Sequence, residues 1–198
     1  MRKLGLKALK VIMVRAAQMV PGQISTKMVN LSLPVRNHYI EPDPQQDINK
    51  LILVERHRAS GKIIIGFIQG FGLRRGAIAS SVAHDHHHLV ALGIDDEDLA
   101  LALKTLIDLD GGLVAVAGGK VLAYLSLPIG GLVSDLPLEI VVAKLEELNL
   151  AAKKLGNTLD SPFATLSLIC LPVIPEVGFS DQGMIDVYKQ KVVDIIVE

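Results

Sequence analysis

His84-Asp85-His86-His87-His88 gathers four of the chain's six histidines into five residues. Imidazole changes charge near neutral pH and is a common metal ligand, so such a cluster suits proton transfer or metal binding. On an extended backbone His84, His86 and His88 would share one face, with Asp85 and His87 on the other. Three imidazoles on one face offer three nitrogens to zinc, nickel or iron. The competing reading is a solvated, histidine-rich loop whose rings satisfy nearby backbone groups.

Other candidates lie close by in sequence. Ser80-Ser81 precede the cluster, but no G-x-S-x-G elbow accompanies them. They either tie down a strand end or reach a substrate. Glu55-Arg56-His57 closes an apolar run and could join the same polar site. Gly70-Phe71-Gly72-Leu73-Arg74-Arg75-Gly76 permits close backbone approach, and Arg74 and Arg75 could hold a carboxylate or phosphate. It misses the dinucleotide glycine spacing by one residue and no helix follows, so a tight connection with exposed arginines competes.

Two metal-dependent readings fail on counting. His84-x-His86 imitates the first-strand pair of metal-dependent (β/α)₈ hydrolases, yet only 110 residues follow His88 and none is histidine. The zinc deaminase pattern needs a Cys-x-x-Cys pair, and Cys170 stands alone. The same lone cysteine rules out an internal disulfide framework.

The elements that must position these residues are mostly strands. Val11–Val20 and Ile24–Leu33 flank Pro21-Gly22 and read as an antiparallel hairpin. Ile48–Arg56, Lys62–Ile68, Ala77–Val82 and Leu89–Ile94 read as further strands. Asp95–Asp98 then begins a helix carrying Leu99, Leu103, Leu106 and Ile107, stopped by Gly111-Gly112. A hairpin of Leu113–Ala117 and Lys120–Leu127 turns at Gly118-Gly119. A second helix runs from Ser134-Asp135 to Gly156, and Thr165–Ile174 and Lys191–Val197 read as closing strands. The expected class is α+β, a largely antiparallel sheet with two main helices on one face. Residues 1–198 read as one domain, with a possible N-terminal hairpin subdomain over 1–44.

Lys plus Arg number 20 and Asp plus Glu 21, giving a formal charge of −1. Aromatic residues make up 4 % and Trp is absent. Neither the positive field nor the stacking surface of a nucleic-acid binder is present. No apolar run reaches membrane-spanning length, and Lys7, Lys10 and Arg15 interrupt the N-terminal apolar stretch. A cytoplasmic protein is expected.

Several segments carry a family resemblance: Val20-Pro21-Gly22-Gln23-Ile24, Val54-Glu55-Arg56-His57, Gly70-Phe71-Gly72-Leu73, and the unbroken block from Arg75-Gly76-Ala77 to Val82-Ala83-His84-Asp85. Further segments are Leu127-Pro128-Ile129, Ser134-Asp135, Thr165-Leu166-Ser167 and Leu171-Pro172-Val173-Ile174-Pro175-Glu176. Together they resemble the C-terminal domain of bacterial and archaeal adenine deaminases of the amidohydrolase superfamily. The resemblance implies hydrolysis of adenine to hypoxanthine and ammonia at a binuclear manganese or iron centre. That centre belongs to an N-terminal barrel, which these 198 residues do not contain. It also implies His84, Asp85 and His87 as auxiliary residues reaching toward that active site. Relatives usually read Ser-His-Asn where this chain has His86-His87-His88, so His86 and His88 depart from the pattern. The expected role is a companion of an amidohydrolase barrel, in a homo-oligomer, with Ser80, Ser81 and Arg75 as substrate contacts and no metal held by this chain alone. Two alternatives stand beside it: a non-catalytic structural or oligomerisation domain, and a small metal-binding protein using His84, His86 and His88.

Overall fold

Short β-branched runs punctuated by Pro-Gly, Ser-Gly and Gly-Gly pairs zip naturally into antiparallel ladders. The computed structural model describes residues 11–197. β1 (Val11–Met19) and β2 (Thr26–Arg36) pair in register from Val11 opposite Pro34 to Met19 opposite Thr26. Gly22 makes the turn at φ +71°, with the Gln23 N–H donating to the Val20 carbonyl at 3.0 Å. β3 (Tyr39–Ile40) folds back on β2, and β4 (Ile48–Val54) and β5 (Ile63–Gln69) form the next hairpin. β6 (Ala77–Ser80), β7 (Leu89–Gly93), α1 (Asp96–Asp108), β8 (Gly112–Ala117) and β9 (Lys120–Ser126) follow.

These nine strands make one sheet in the order β3-β2-β1-β5-β4-β7-β6-β8-β9. Every neighbouring pair is antiparallel except β1–β5, which meets only at Ala17–Ile68 and Gln18–Gln69. The earlier half of β1 bonds instead to the chain's last segment: Arg15 N–H donates to the Ile195 carbonyl at 2.7 Å. The N-terminal hairpin is thus hydrogen-bonded into the main sheet.

α2 (Leu138–Lys154) and α3 (Pro162–Ile169) precede a small second sheet of β10 (Val177–Ser180), β11 (Gly183–Asp186) and β12 (Lys191–Val193). The α+β class and the largely antiparallel sheet match the sequence expectation. The two main helices, however, take opposite faces. Ile78, Leu92 and Ala115 pack with Leu148 and Ala152 of α2, with Leu155 just after it, and with Phe163 and Leu166 of α3. Ala77, Ala79, Ala91 and Val114 of the same strands pack with Leu99, Ala102 and Leu106 of α1. β6 and β7 are buried at every position, and a strand apolar on both sides needs cover on both.

Residues 165–174 are not a strand. α3 occupies Pro162–Ile169, with Pro162 in its first turn and the Thr165 hydroxyl donating to the Ser161 carbonyl at 3.0 Å. Phe163, Leu166 and Ile169 recur every three residues and are all buried, a helical spacing hidden in a continuous apolar run. α2 begins at Leu138 rather than Ser134, whose hydroxyl instead accepts the Leu136 N–H in a local turn. The closing strand is shorter than 191–197, ending at Val193 before residues 194–197 pass to β1. No helix among the described residues is long and apolar enough to cross a membrane.

The small sheet is seated through Phe179, which is fully buried against Gly66 of β5. A Cβ at Gly66 would lie 2.3 Å from the Phe179 ring, whereas Gly118 in the β8–β9 turn has φ +58° and open space around it. Gly66→Ala is therefore expected to cost about 2 kcal/mol in urea unfolding, from overpacking at a ring that cannot yield. Gly118→Asn, with a residue that tolerates this backbone, should stay within about 1 kcal/mol of the parent.

Candidate functional site

The histidine segment joins β6 to β7 at one end of the sheet, and its foundation is two spent serines. Ser80 and Ser81 are fully buried. Ser80 Oγ accepts the Val82 N–H at 2.9 Å and donates to the Val82 carbonyl at 3.1 Å. Ser81 Oγ accepts the Gly112 N–H at 2.8 Å and lies 2.6 Å from the Gly131 carbonyl. Both hydroxyls bond backbone groups and hold the strand end and its neighbours.

Beyond them the chain turns rather than extends. The His87 N–H closes back on the Ala83 carbonyl at 2.6 Å, and the His84 N–H donates to the Ser167 carbonyl of α3 at 3.2 Å. His87 itself adopts φ +47°. The alternation that would align His84, His86 and His88 is lost with the extended backbone. Instead the His86 and His88 rings stack with centroids 4.7 Å apart, and His84 meets His87 edge-on at 5.6 Å. Among the described residues no three His, Cys, Asp or Glu side chains converge to hold a metal ion.

Arg56, just past β4, locks the turn from the side. Its Nε donates to the His87 carbonyl at 2.5 Å and its Nη2 to the Gly130 carbonyl at 2.7 Å. Its own N–H reaches His88 Nδ1 at 3.4 Å. Next to it, Glu55 takes the Ser60 hydroxyl at 2.7 Å and the N–H groups of Arg58 and Ser60 at 2.8 and 3.1 Å. The Ser60 hydroxyl leads in holding this carboxyl down to about 2, so Glu55 is a fixed anion that shapes the β4–β5 loop. His57 Nε2 lies 2.5 Å from the His86 carbonyl, and its ring leans on His88 at 4.9 Å.

The rings divide into two sets. His86 Nδ1 accepts the His88 N–H at 3.1 Å, so Nε2 carries the proton and donates to the Phe179 carbonyl at 3.2 Å. His88 is buried, with Nε2 3.8 Å from an Asp181 oxygen. These two rings are consumed internally. His87 Nδ1 accepts the Ala83 N–H at 3.3 Å, and among the described residues its Nε2 has no hydrogen-bond partner. Among the described residues neither the half-buried His84 ring nor the exposed Asp85 carboxylate has a hydrogen-bond partner within the domain. Burial is the first cause of lowered pKa at His86, His87 and His88 alike; His84 adds to it at His87, and His57 at His88.

Arg75 stands apart. It is exposed just before β6, whereas the turn follows β6, so the whole strand separates them. Its guanidinium reaches only the Lys154 carbonyl at 3.4 Å. The structure therefore brings His84, Asp85 and His87 together and leaves Arg75 at the far end. The carbonyls of Ser167, Gly130 and Phe179 complete the support. No sequence signal exposed them, because a backbone acceptor carries no residue code.

The domain is a largely antiparallel α+β fold that presents one side-chain-rich turn at the β6–β7 connection. The comparison with known families gives it a place. Residues 23–191 match the family described as adenine deaminase C-terminal domain, and the chain belongs to that family. It is 48 % identical over 176 residues to an adenine deaminase of Dehalococcoides mccartyi, covering 89 % of this chain and 31 % of the relative. Similar proteins of the same description occur in Moorella thermoacetica, 42 % identical over 93 % of this chain, and in Brucella anthropi, 46 % identical over 88 %. The chain thus spans about 31 % of the length of these relatives.

The stacked pair sets a pH response. A histidine whose folded pKa lies below its unfolded value of about 6.5 favours the neutral ring in the fold. The unfolded chain then binds more protons between the two values, so the contribution is complete above about pH 6.5 and is lost as pH falls toward the folded pKa. Urea midpoints should accordingly fall between pH 7.5 and 5. His86→Gln should show a visibly shallower fall, since it removes one of these buried rings.

Proposed function

We propose that this chain is the companion domain of an adenine deaminase, whose His84–His87 turn closes over a purine bound in a metal-dependent barrel. The observation that carries this reading is the sorting of side chains on one turn. His86 and His88 are spent inside the domain, while His84, Asp85 and His87 retain uncommitted polar atoms. Those three are also the residues that match the family pattern. Membership of the adenine deaminase C-terminal domain family supports the same reading.

The reaction is adenine plus water giving hypoxanthine plus ammonia. Water oxygen adds at the ring carbon bearing the amino group, the carbon–nitrogen bond breaks, and the departing nitrogen takes up a proton. Activation of the water would be supplied by a binuclear manganese or iron centre in the barrel. The residues of this chain serve the remaining needs. His87, whose Nδ1 accepts the Ala83 N–H, carries its ring proton at Nε2 and can donate it there, and burial is the first cause that lowers its pKa. The Asp85 carboxylate can accept a hydrogen bond from a purine N–H. His84, edge-on to His87, fixes the orientation of that ring. Ser80 and Ser81 act through position alone.

The isolated chain should not deaminate adenine. Fused behind the portion of the Dehalococcoides mccartyi relative that it does not match, it should complete an active enzyme. In that fusion His87→Gln should lower kcat by about 100-fold or more, the range expected when a proton-handling group is lost, and Asp85→Asn, which weakens a charged hydrogen-bond acceptor, should lower kcat/KM by about 10-fold. Turnover by the isolated chain, or full activity in both variants, would overturn the proposal.

A further inference from the structure

α2 is a helix with half a partner. All of its buried residues, Leu148, Ala151 and Ala152, lie beyond its tenth position. Its first ten residues hold no fully buried side chain, only Val141 and Leu145 partly buried against the core, and they include Leu138, Ile140 and Val142, exposed by 72, 46 and 46 %. The segment leading into it is equally open, with Ile129, Leu132 and Val133 uncovered. Seven of the nineteen exposed large apolar residues among the described residues fall between 129 and 142, where the only charges are Asp135 and Glu139. Apolar side chains so concentrated, with so little charge among them, mark an interaction surface.

We infer that residues 129–142 form the docking face for the barrel portion of an adenine deaminase. This inference rests on the function proposed above and adds where that portion binds. Two observations choose the occupant. The family model is that of a C-terminal domain, and about two-thirds of each relative lies outside the match. A large body therefore precedes this domain in the relatives. The segment is also tied to the histidine turn, because the Gly130 carbonyl accepts Arg56 Nη2 at 2.7 Å and the Gly131 carbonyl bonds Ser81 Oγ at 2.6 Å. A body seated on Ile129–Val142 is thereby joined, through Arg56 and Ser81, to the segment that carries the turn.

Amide hydrogen exchange tests this directly, comparing residues 138–142 in the isolated chain with the same residues in the fusion described above. At least tenfold slower exchange in the fusion is expected. Leu138→Glu with Val142→Glu should restore fast exchange there without lowering the melting temperature of the isolated chain, since both positions are already exposed. Equal exchange in the two proteins would overturn the inference. So would protection that grows with concentration in the isolated chain and disappears with the same pair of substitutions, which would make the occupant a second copy. Failure of the functional reading looks different: residues 138–142 stay protected in the fusion while Asp85→Asn and His87→Gln leave activity untouched.

Discussion

One guanidinium holds the candidate site together. Arg56 leaves the end of a central strand and satisfies the carbonyls of His87 and Gly130, which belong to two segments distant in sequence. Charge-assisted bonds of this kind are about twice as strong as neutral ones, and here they are partly withdrawn from water. Gly131 records the closeness of the fit: a Cβ there would stand 2.7 Å from Arg56 Nη1. The same residue has φ +75°, so backbone and packing both require glycine. Without this tie the turn and the 127–133 segment would lose the bonds that set their mutual register.

The arrangement explains how a run of adjacent histidines acquires two characters. His86 and His88 stack on one another, bond to Phe179 and Arg56, and so anchor the turn to the body of the domain. His84 and His87 pair edge-on outside that anchor. His86 and His88 are the two held inward, where a change alters how the turn is held rather than what it presents. In the proposed role, His84 and His87 face the partner.

Much of the fold was legible because turn chemistry is local. Pro21-Gly22 and Gly118-Gly119 each imposed a hairpin whose register then followed from the alternation of side chains. The acidic start and leucine spacing of α1 were equally direct. α3 was not legible, because Thr165–Ile174 is apolar almost throughout and continuous hydrophobicity fits either period. The placement of helices on both faces was hidden for a related reason. Ala77–Ser80 has small or apolar residues on both sides, so nothing in it marks a solvent face. At the site, residue types disclosed the cluster but not its shape. The turn arises from bonds to the carbonyls of Ala83 and Ser167, and Ser80 and Ser81 were consumed by backbone groups that no motif names.

The central claim is that this domain lends the His84–His87 turn to a purine site it does not itself contain. The most direct measurement is a crystal structure of the fused, full-length enzyme with hypoxanthine bound. The account predicts an Asp85 oxygen or His87 Nε2 within about 3.2 Å of a purine nitrogen or oxygen, a hydrogen-bond distance. A purine enclosed by the barrel alone, with the turn facing solvent on another side, would contradict it.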